Sequence, residues 1–397
     1  MSFSSPRAIC VDKKRAAHFD LGSANDASLI NMLRGLATEG LAQRLHAHSK
    51  HMDTGRYEAR LTSELSDIID IGFAKHFIVA HEVVDWARAQ GIAVGAGYGS
   101  FSGSLVAWAL DITSIDPLSY DLLFERFLNK KRKSRPDIYI SFSVLRFSEI
   151  VGHMSEIYGE DAISVLPPRE VPVNDCVALY AVPLPHLDIV AKLLQAHEKW
   201  SFDDQETWAF LAQGASEDIF LAQMPEFCDI LKKAQPSSLE DLSVLLALYR
   251  PLPIVGGVLE AFVMNAKPQA ILGGEHACVQ ASLQQTRGVL VYQEQIMTIA
   301  HEMAGYTMCD ADLLWRALLK KKPVEVDRQR ELFVSGASKN GISESTAQKT
   351  YAMLENGAQY CFNRSHSLAE ALLLYQTAWC KVHNREAYDA EYEKIFQ

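Results

Sequence analysis

The chain has 397 residues, 48% apolar, 22% charged and 9% aromatic, which excludes disorder for its bulk and gives length for two or three domains, each able to bury a core. With 49 acidic against 38 basic side chains its formal charge is −11, so it is neither a generic nucleic-acid coat nor a binder of anionic membrane surfaces, and any DNA contact must come from a local patch. No run reaches the ~18 apolar residues of a membrane span and the first twenty residues hold no apolar signal core, so a cytoplasmic protein without membrane contact is expected; seven scattered cysteines without a C-x2-C pair read as reduced, mostly buried thiols.

In chain order, His46, His48 and His51 come first, an H-x-H-x2-H cluster with metal-like spacing but no fixed carboxylate or thiol partner, which reads more simply as a solvated helix end. From Tyr57 to Gly91 apolar residues recur at helical spacing (Leu61, Leu65, Ile68, then Phe77, Val83, Val84), and Gly72 and Gly91 act as stops, so two helices are predicted. A loop rich in glycine and serine follows, with Gly97, Gly99, Ser100, Gly103 and Ser104, and runs straight into the apolar helix Leu105 to Leu110. Such a loop can cradle a phosphate on free N–H groups at a helix start, or it can be a tight structural turn; it is neither a Walker loop nor a GxGxxG fingerprint.

Lys130, Lys131, Arg132, Lys133 and Arg135 then pack five cations into six positions, either a phosphate-contacting patch or a solvated loop. Residues Pro136 to Phe142 alternate around β-branched side chains and predict a strand with Asp137, Tyr139 and Ser141 on one face. The proline-interrupted text from Val165 to Val182 is the candidate for a boundary or a shortened connection, and beyond Leu187 the period is helical to the end. Within that helical stretch, Lys320, Lys321, Lys322 and Pro323 form a cationic spot suited to a helix end, and Asn363-Arg364-Ser365-His366 is polar text suited to a pocket lining or a helix cap.

Together these segments resemble the palm and fingers of the bacterial C-family replicative DNA polymerases, the DNA polymerase III alpha subunit. The palm-like text is Gly95 to Ser104 with LVAWALDITSIDPLSYDLLFERFLN and Arg135-Pro136-Asp137; the fingers-like text is LYRPLP from Leu248, GVLVYQEQIM from Gly288, LLKKKP from Leu318 and FNRSHS from Phe362. The resemblance implies an α+β, predominantly α-helical chain: a nucleotidyltransferase-like palm with a small β-sheet over 1–187, its thumb insertion deleted near 165–175, and truncated helical fingers over 188–397. It also implies that the family's N-terminal phosphoesterase, clamp-binding and oligonucleotide-binding regions are missing.

Members of that family transfer a nucleotidyl group with two Mg2+ ions on three aspartates, the first two in a strand reading P-D-F-D-V-D-F and the third in K-F-D-F-L-G-L. At the matching positions this chain has Tyr139, Ser141 and Tyr180, and only the leading aspartate, Asp137, remains. A phenol and a hydroxyl cannot replace carboxylates on a hard dication. The arginine of the family's G-P-G-R-G-S loop is Tyr98 here, and of two arginines before G-K-K-K-P the first is Trp315, the second survives as Arg316, and the glycine is Leu319. The expectation is therefore a non-catalytic homologue with no metal or other cofactor and remnant phosphate contacts at Arg316, Lys320, Lys321, Asn363, Ser365 and His366. Its expected partners are DNA, bound weakly and without sequence preference, a replication or repair protein, or a second copy. Two rivals remain: a minimal polymerase or nucleotidyltransferase using Mg2+ on displaced carboxylates such as Asp111, Asp116, Asp137 or Glu149, and a dimerising scaffold that touches no nucleic acid.

Overall fold

Alternating side chains in short β-branched segments build one small sheet. The computed structural model describes residues 6–13, 15, 27–48, 52–132, 137–171, 176–194, 201–215, 218–222, 224–264 and 276–396. Its strands are β1 (Arg7–Asp12), β2 (Ile138–Phe142), β3 (Ile163–Leu166) and β4 (Cys176–Pro183), in the order β2-β4-β1-β3. β1 is antiparallel to both β3 and β4, whereas β2 runs parallel to β4 with Tyr139 opposite Tyr180. The stretch read as a boundary or shortened connection thus supplies β3, a short 3-10 turn over Pro168–Glu170, and β4.

Period-2 alternation gives the sheet two unlike faces. Ile9, Val11, Ile138, Ile140, Val177 and Leu179 enter the main core. Against them pack α1 (Ala27–His48), α2 (Thr54–Asp70), α3 (Ala74–Ala89), α4 (Leu105–Ala109), α5 (Phe124–Phe127) and α6 (Phe147–Tyr158). The helix stops expected at Gly72 and Gly91 are there, both glycines in the left-handed region, at φ 69° and 68°. Ala8, Cys10, Cys176 and Tyr180 form a smaller cluster on the opposite face, with Tyr139, Leu166 and Ala178 beside it.

After α7 (Pro185–Leu194) every element among the described residues is helical: α8 (Gln205–Ala212), α9 (Pro225–Ala234), α10 (Leu239–Leu248), α11 (Pro251–Val255), α12 (Val258–Met264), α13 (Ala277–Leu283), α14 (Gln293–Ala304), α15 (Met308–Lys320), α16 (Pro323–Lys339), α17 (Glu344–Gly357), α18 (Arg364–His383) and α19 (Arg385–Phe396). The chain is thus an α-rich α+β protein. Two compact units result, one of Met1–Lys130, Ser134–Trp200 and Trp379–Gln397, the other of Lys131–Lys133 and Ser201–Ala378.

In the second unit the hydroxyls of Ser238, Thr307 and Ser343 accept the N–H groups that open α10, α15 and α17, and α16 approaches α14 so closely that a Cβ on Gly336 would lie 2.1 Å from the Ala304 carbonyl oxygen. In the first unit α19 packs along α7: Tyr388 is fully buried, Lys192 pairs with Glu391 at 2.7 Å, and the His186 ring lies 4.9 Å from that of Phe396. Among the described residues no helix is long and apolar enough to cross a membrane.

Candidate functional site

The face of the sheet turned away from the main core is where the sequence concentrates its departures. Parallel pairing in register sets Tyr139 of β2 beside Tyr180 of β4, and their rings stack with centroids 4.8 Å apart and 28° between planes. Tyr98 of the glycine loop adds a third ring 5.7 Å from that of Tyr139. Tyr98 and Tyr139 are half-buried, whereas Tyr180 is buried against Ala8, Cys10 and Cys176. Burial, reinforced by the neighbouring Asp137 carboxylate, lifts both the Tyr139 and Tyr180 phenols above a tyrosine's usual value, and the Tyr180 hydroxyl donates to Asp137. Below Tyr180, Cys10 and Cys176 share an S–H hydrogen bond, which with burial pushes the Cys10 thiol up, and neither is in a disulfide.

Ser141, two residues along β2, is 1% exposed. Gly95 lies directly over it: the Gly95 N–H donates to the Ser141 carbonyl at 2.9 Å, and a Cβ on Gly95 would sit 2.7 Å from the Ser141 Cβ. The Ser141 hydroxyl, like those of Ser102 and Thr113, finds no hydrogen-bond partner among the described residues.

The glycine loop is held by a residue the sequence reading did not single out. Glu64 of α2 is 1% exposed, and its carboxylate accepts from Arg60 Nε at 2.6 Å, Ser104 Oγ at 2.9 Å, and the backbone N–H groups of Leu105 and Val106 at 3.0 and 3.1 Å. These N–H groups at the start of α4, where a phosphate would sit in a cradle, are taken by the Glu64 carboxylate. Gly103 is buried, with the Leu123 carbonyl 3.2 Å from where its Cβ would stand, and Gly97 lies over Ser102, whose Oγ is 2.2 Å from such a Cβ. Gly99, beside Tyr139, and Ser100 are half-buried in the same 3-10 turn. The signal that would have found Glu64 is a lone acid on an otherwise apolar helical stripe, between Leu61 and Leu65.

The cationic run is partly neutralised: Lys130 pairs with Asp67 at 2.9 Å and, within the second unit, Lys131 pairs with Asp310 at 2.7 Å. Arg132 is half-buried, and Lys133 and Arg135 lie outside the described residues. His46 is exposed near the end of α1, while His51 lies outside the described residues, as does the side chain of His48. The displaced carboxylates do not converge. Asp111 pairs with Arg44 and Arg88, Asp116 accepts from the Tyr57 hydroxyl and the Leu118 N–H, and Glu149 pairs with Arg146 at 2.7 Å.

In the second unit the motifs close on each other. Asn363 caps α18 by accepting from Ser365 Oγ and the His366 N–H at 2.8 and 3.0 Å, and its Nδ2 donates to Glu294 of α14 at 2.7 Å. Glu294 also accepts from the Arg364 N–H at 3.1 Å. Gln295 accepts from Val291 and Tyr292, Gln293 Nε2 donates to the Cys361 carbonyl, and His366 faces Glu370 at 3.2 Å. The Tyr292 hydroxyl meets Ser243 at 2.9 Å, and burial pushes its phenol up to about 12. Of the pocket-lining and helix-cap readings of Asn363 to His366, the cap is the one built. Arg316 pairs with the fully buried Asp312 at 3.0 Å, and Lys320 and Lys321 are exposed at the end of α15.

A pair of Mg2+ ions does not fit the residues on the sheet face. The facing donors are two neutral phenols and a buried hydroxyl, with Asp137 alone as a carboxylate and already bonded to Tyr180. No group of three or more His, Cys, Asp or Glu side chains among the described residues is arranged to hold a metal ion.

Comparison with known proteins gives two family matches in tandem: the bacterial DNA polymerase III alpha NTPase domain over residues 31–212 and the bacterial DNA polymerase III alpha subunit finger domain over residues 188–341. The DNA polymerase III subunit alpha of Escherichia coli K12 is 28% identical over 92% of this chain and 43% of its own length; that of Pseudomonas aeruginosa PAO1 gives the same identity and shares. The Caulobacter vibrioides protein is 30% identical over 87% of this chain and 41% of its own. The chain thus spans less than half the length of these relatives.

Proposed function

This chain is a homologue of the bacterial DNA polymerase III alpha subunit, with palm-like and fingers-like regions, and we propose that it works by binding rather than by nucleotidyl transfer. The observation that carries this reading is the Tyr139–Tyr180 stack across β2 and β4, where the family's chemistry calls for carboxylates. Ser141, the remaining position, is sealed under Gly95. The other carboxylates available for a displaced site are each committed to a local arginine or turn.

DNA is the ligand we assign, held through phosphates by the cationic run from Lys130 to Arg135. Its surface ion pairs do not oppose this, because exposed pairs are worth only ~0–1 kcal/mol and exchange readily for phosphate. Binding is sequence-independent, with Kd on the order of 10⁻⁴ to 10⁻⁶ M at physiological salt. Primer extension tests the catalytic half: no template-directed product is expected in Mg2+ or Mn2+, nor from the Tyr139→Asp, Ser141→Asp, Tyr180→Asp triple variant, and clear extension by the parent protein overturns the reading. Salt-dependent DNA retention tests the binding half. A chain that retains no DNA at low salt yet self-associates on dilution analysis is the scaffold instead.

A further inference from the structure

A cavity of about 520 Å3 lies in the first unit between α1, α3 and the C-terminal end of α4, a size usual for small-molecule sites. Close backbone approach shapes it: a Cβ on Gly40 would stand 2.0 Å from the Ala109 carbonyl oxygen, so a glycine is what lets α1 settle on the end of α4. Arg44 lines the cavity but commits its guanidinium to that end of α4, donating to the carbonyls of Trp108 and Thr113 at 3.1 and 3.2 Å and pairing with Asp111. Glu39 of α1 and Asp85 of α3 line it as well, both exposed. Among the described residues neither has a cationic partner, and Glu39 accepts only from Gln43, at 3.3 Å. His81, one turn before Asp85, is half-buried with its Nδ1 2.9 Å from the Leu110 carbonyl oxygen. A carbonyl only accepts, so Nδ1 carries the proton and Nε2 of the neutral ring is an acceptor.

We propose that this cavity binds an alkylammonium group, carried either by a linear polyamine or by a lysine side chain of a partner protein. An ammonium brings three donors and no acceptor, the complement of Glu39, His81 and Asp85, and its methylene chain suits the apolar surface of Leu36 and Leu110. An anion would instead meet two uncompensated carboxylates. A divalent metal ion is the poorer occupant, because no three His, Cys, Asp or Glu side chains among the described residues are arranged to hold one. The site stands apart from the DNA-binding reading, and its test contains no DNA.

Equilibrium dialysis of the full chain against radiolabelled cadaverine is that test. Saturable uptake is expected, weakened about tenfold by Glu39→Gln and about tenfold by Asp85→Asn, because each replacement removes a charged acceptor of the ammonium. Both side chains are exposed and both replacements keep the shape, so the variants should fold. The parent protein alone supplies a second measurement: pentanediol, the uncharged analogue, is expected to compete at least about tenfold less well than unlabelled cadaverine. Labelled Nα-acetyl-lysine methylamide separates the two sources, since tighter binding than cadaverine assigns a lysine side chain and weaker binding a free polyamine. No saturable uptake of either labelled amine, variants that bind as the parent does, pentanediol competing as well as cadaverine, or magnesium chloride displacing the diamine at equal concentration would each overturn the site.

Discussion

The tyrosine face of the first unit and the joint between α14 and α18 in the second both drew attention as candidate chemistry, and they are built on opposite terms. In the joint the motif letters match those of the polymerase family, yet the polar groups of Glu294, Asn363 and Gln295 are spent on one another and on nearby backbone. On the tyrosine face the letters depart from the family, and what stands there is a stack of neutral rings packed on one another. Matching text therefore marks a structural cap here, and divergent text marks a stack of aromatic rings. A buried carboxylate with satisfied donors stabilises its neighbours whether or not anything binds.

The contrast can be broken with crossed variants. Glu294→Ala strands the Asn363 amide and the Arg364 N–H in a buried setting, and a loss of about 2–4 kcal/mol is expected from urea unfolding, with DNA retention per folded molecule unchanged. Tyr139→Leu, which removes a half-buried ring and strands no polar partner, should cost less, about 1–2 kcal/mol. If the two variants lose equal stability, the two regions do not differ in kind.

A comparable effect is expected at the border of the tyrosine face. Gly95→Ala places a methyl group 2.7 Å from the Ser141 Cβ, which backbone movement alone can relieve, and overpacking of this sort costs about 1–3 kcal/mol in thermal or urea unfolding. An unchanged midpoint would mean the loop does not rest on β2 as described.

The finest test is by pH. Folded-state tyrosine pKa values raised above the unfolded value of about 10 mean that the native state holds its protons longer. The stability tied to Tyr139 and Tyr180 is thus fully present below pH ~10 and is lost as pH climbs through the raised values. Tyrosinate absorbance of the folded protein should lag behind that of free tyrosine, and Asp137→Asn, by removing the adjacent negative charge, should bring both titrations down; no change on that substitution would detach Asp137 from the stack.

The helices over Tyr57 to Gly91, with their glycine stops, and the strand ending at Phe142 were legible because their signals are local periodicities of apolar residues. The short strand β1 carried too little alternation to be read alone, and the aromatic helix α19 gave no sign of packing along α7 in the sheet-bearing unit. That Tyr139, Ser141 and Tyr180 occupy positions where the related polymerases have aspartates was likewise a matter of text. Tertiary structure alone decided what those residues do to each other. The parallel register of β2 on β4 turns two tyrosines, 41 positions apart, into one stack, and the fold carries Glu64 onto the N–H groups of Leu105 and Val106 and Glu294 onto Asn363. Such contacts pair groups distant in sequence, and hydrogen bonds and ring contacts act over a few ångströms in space, a distance that periodicity and composition do not encode.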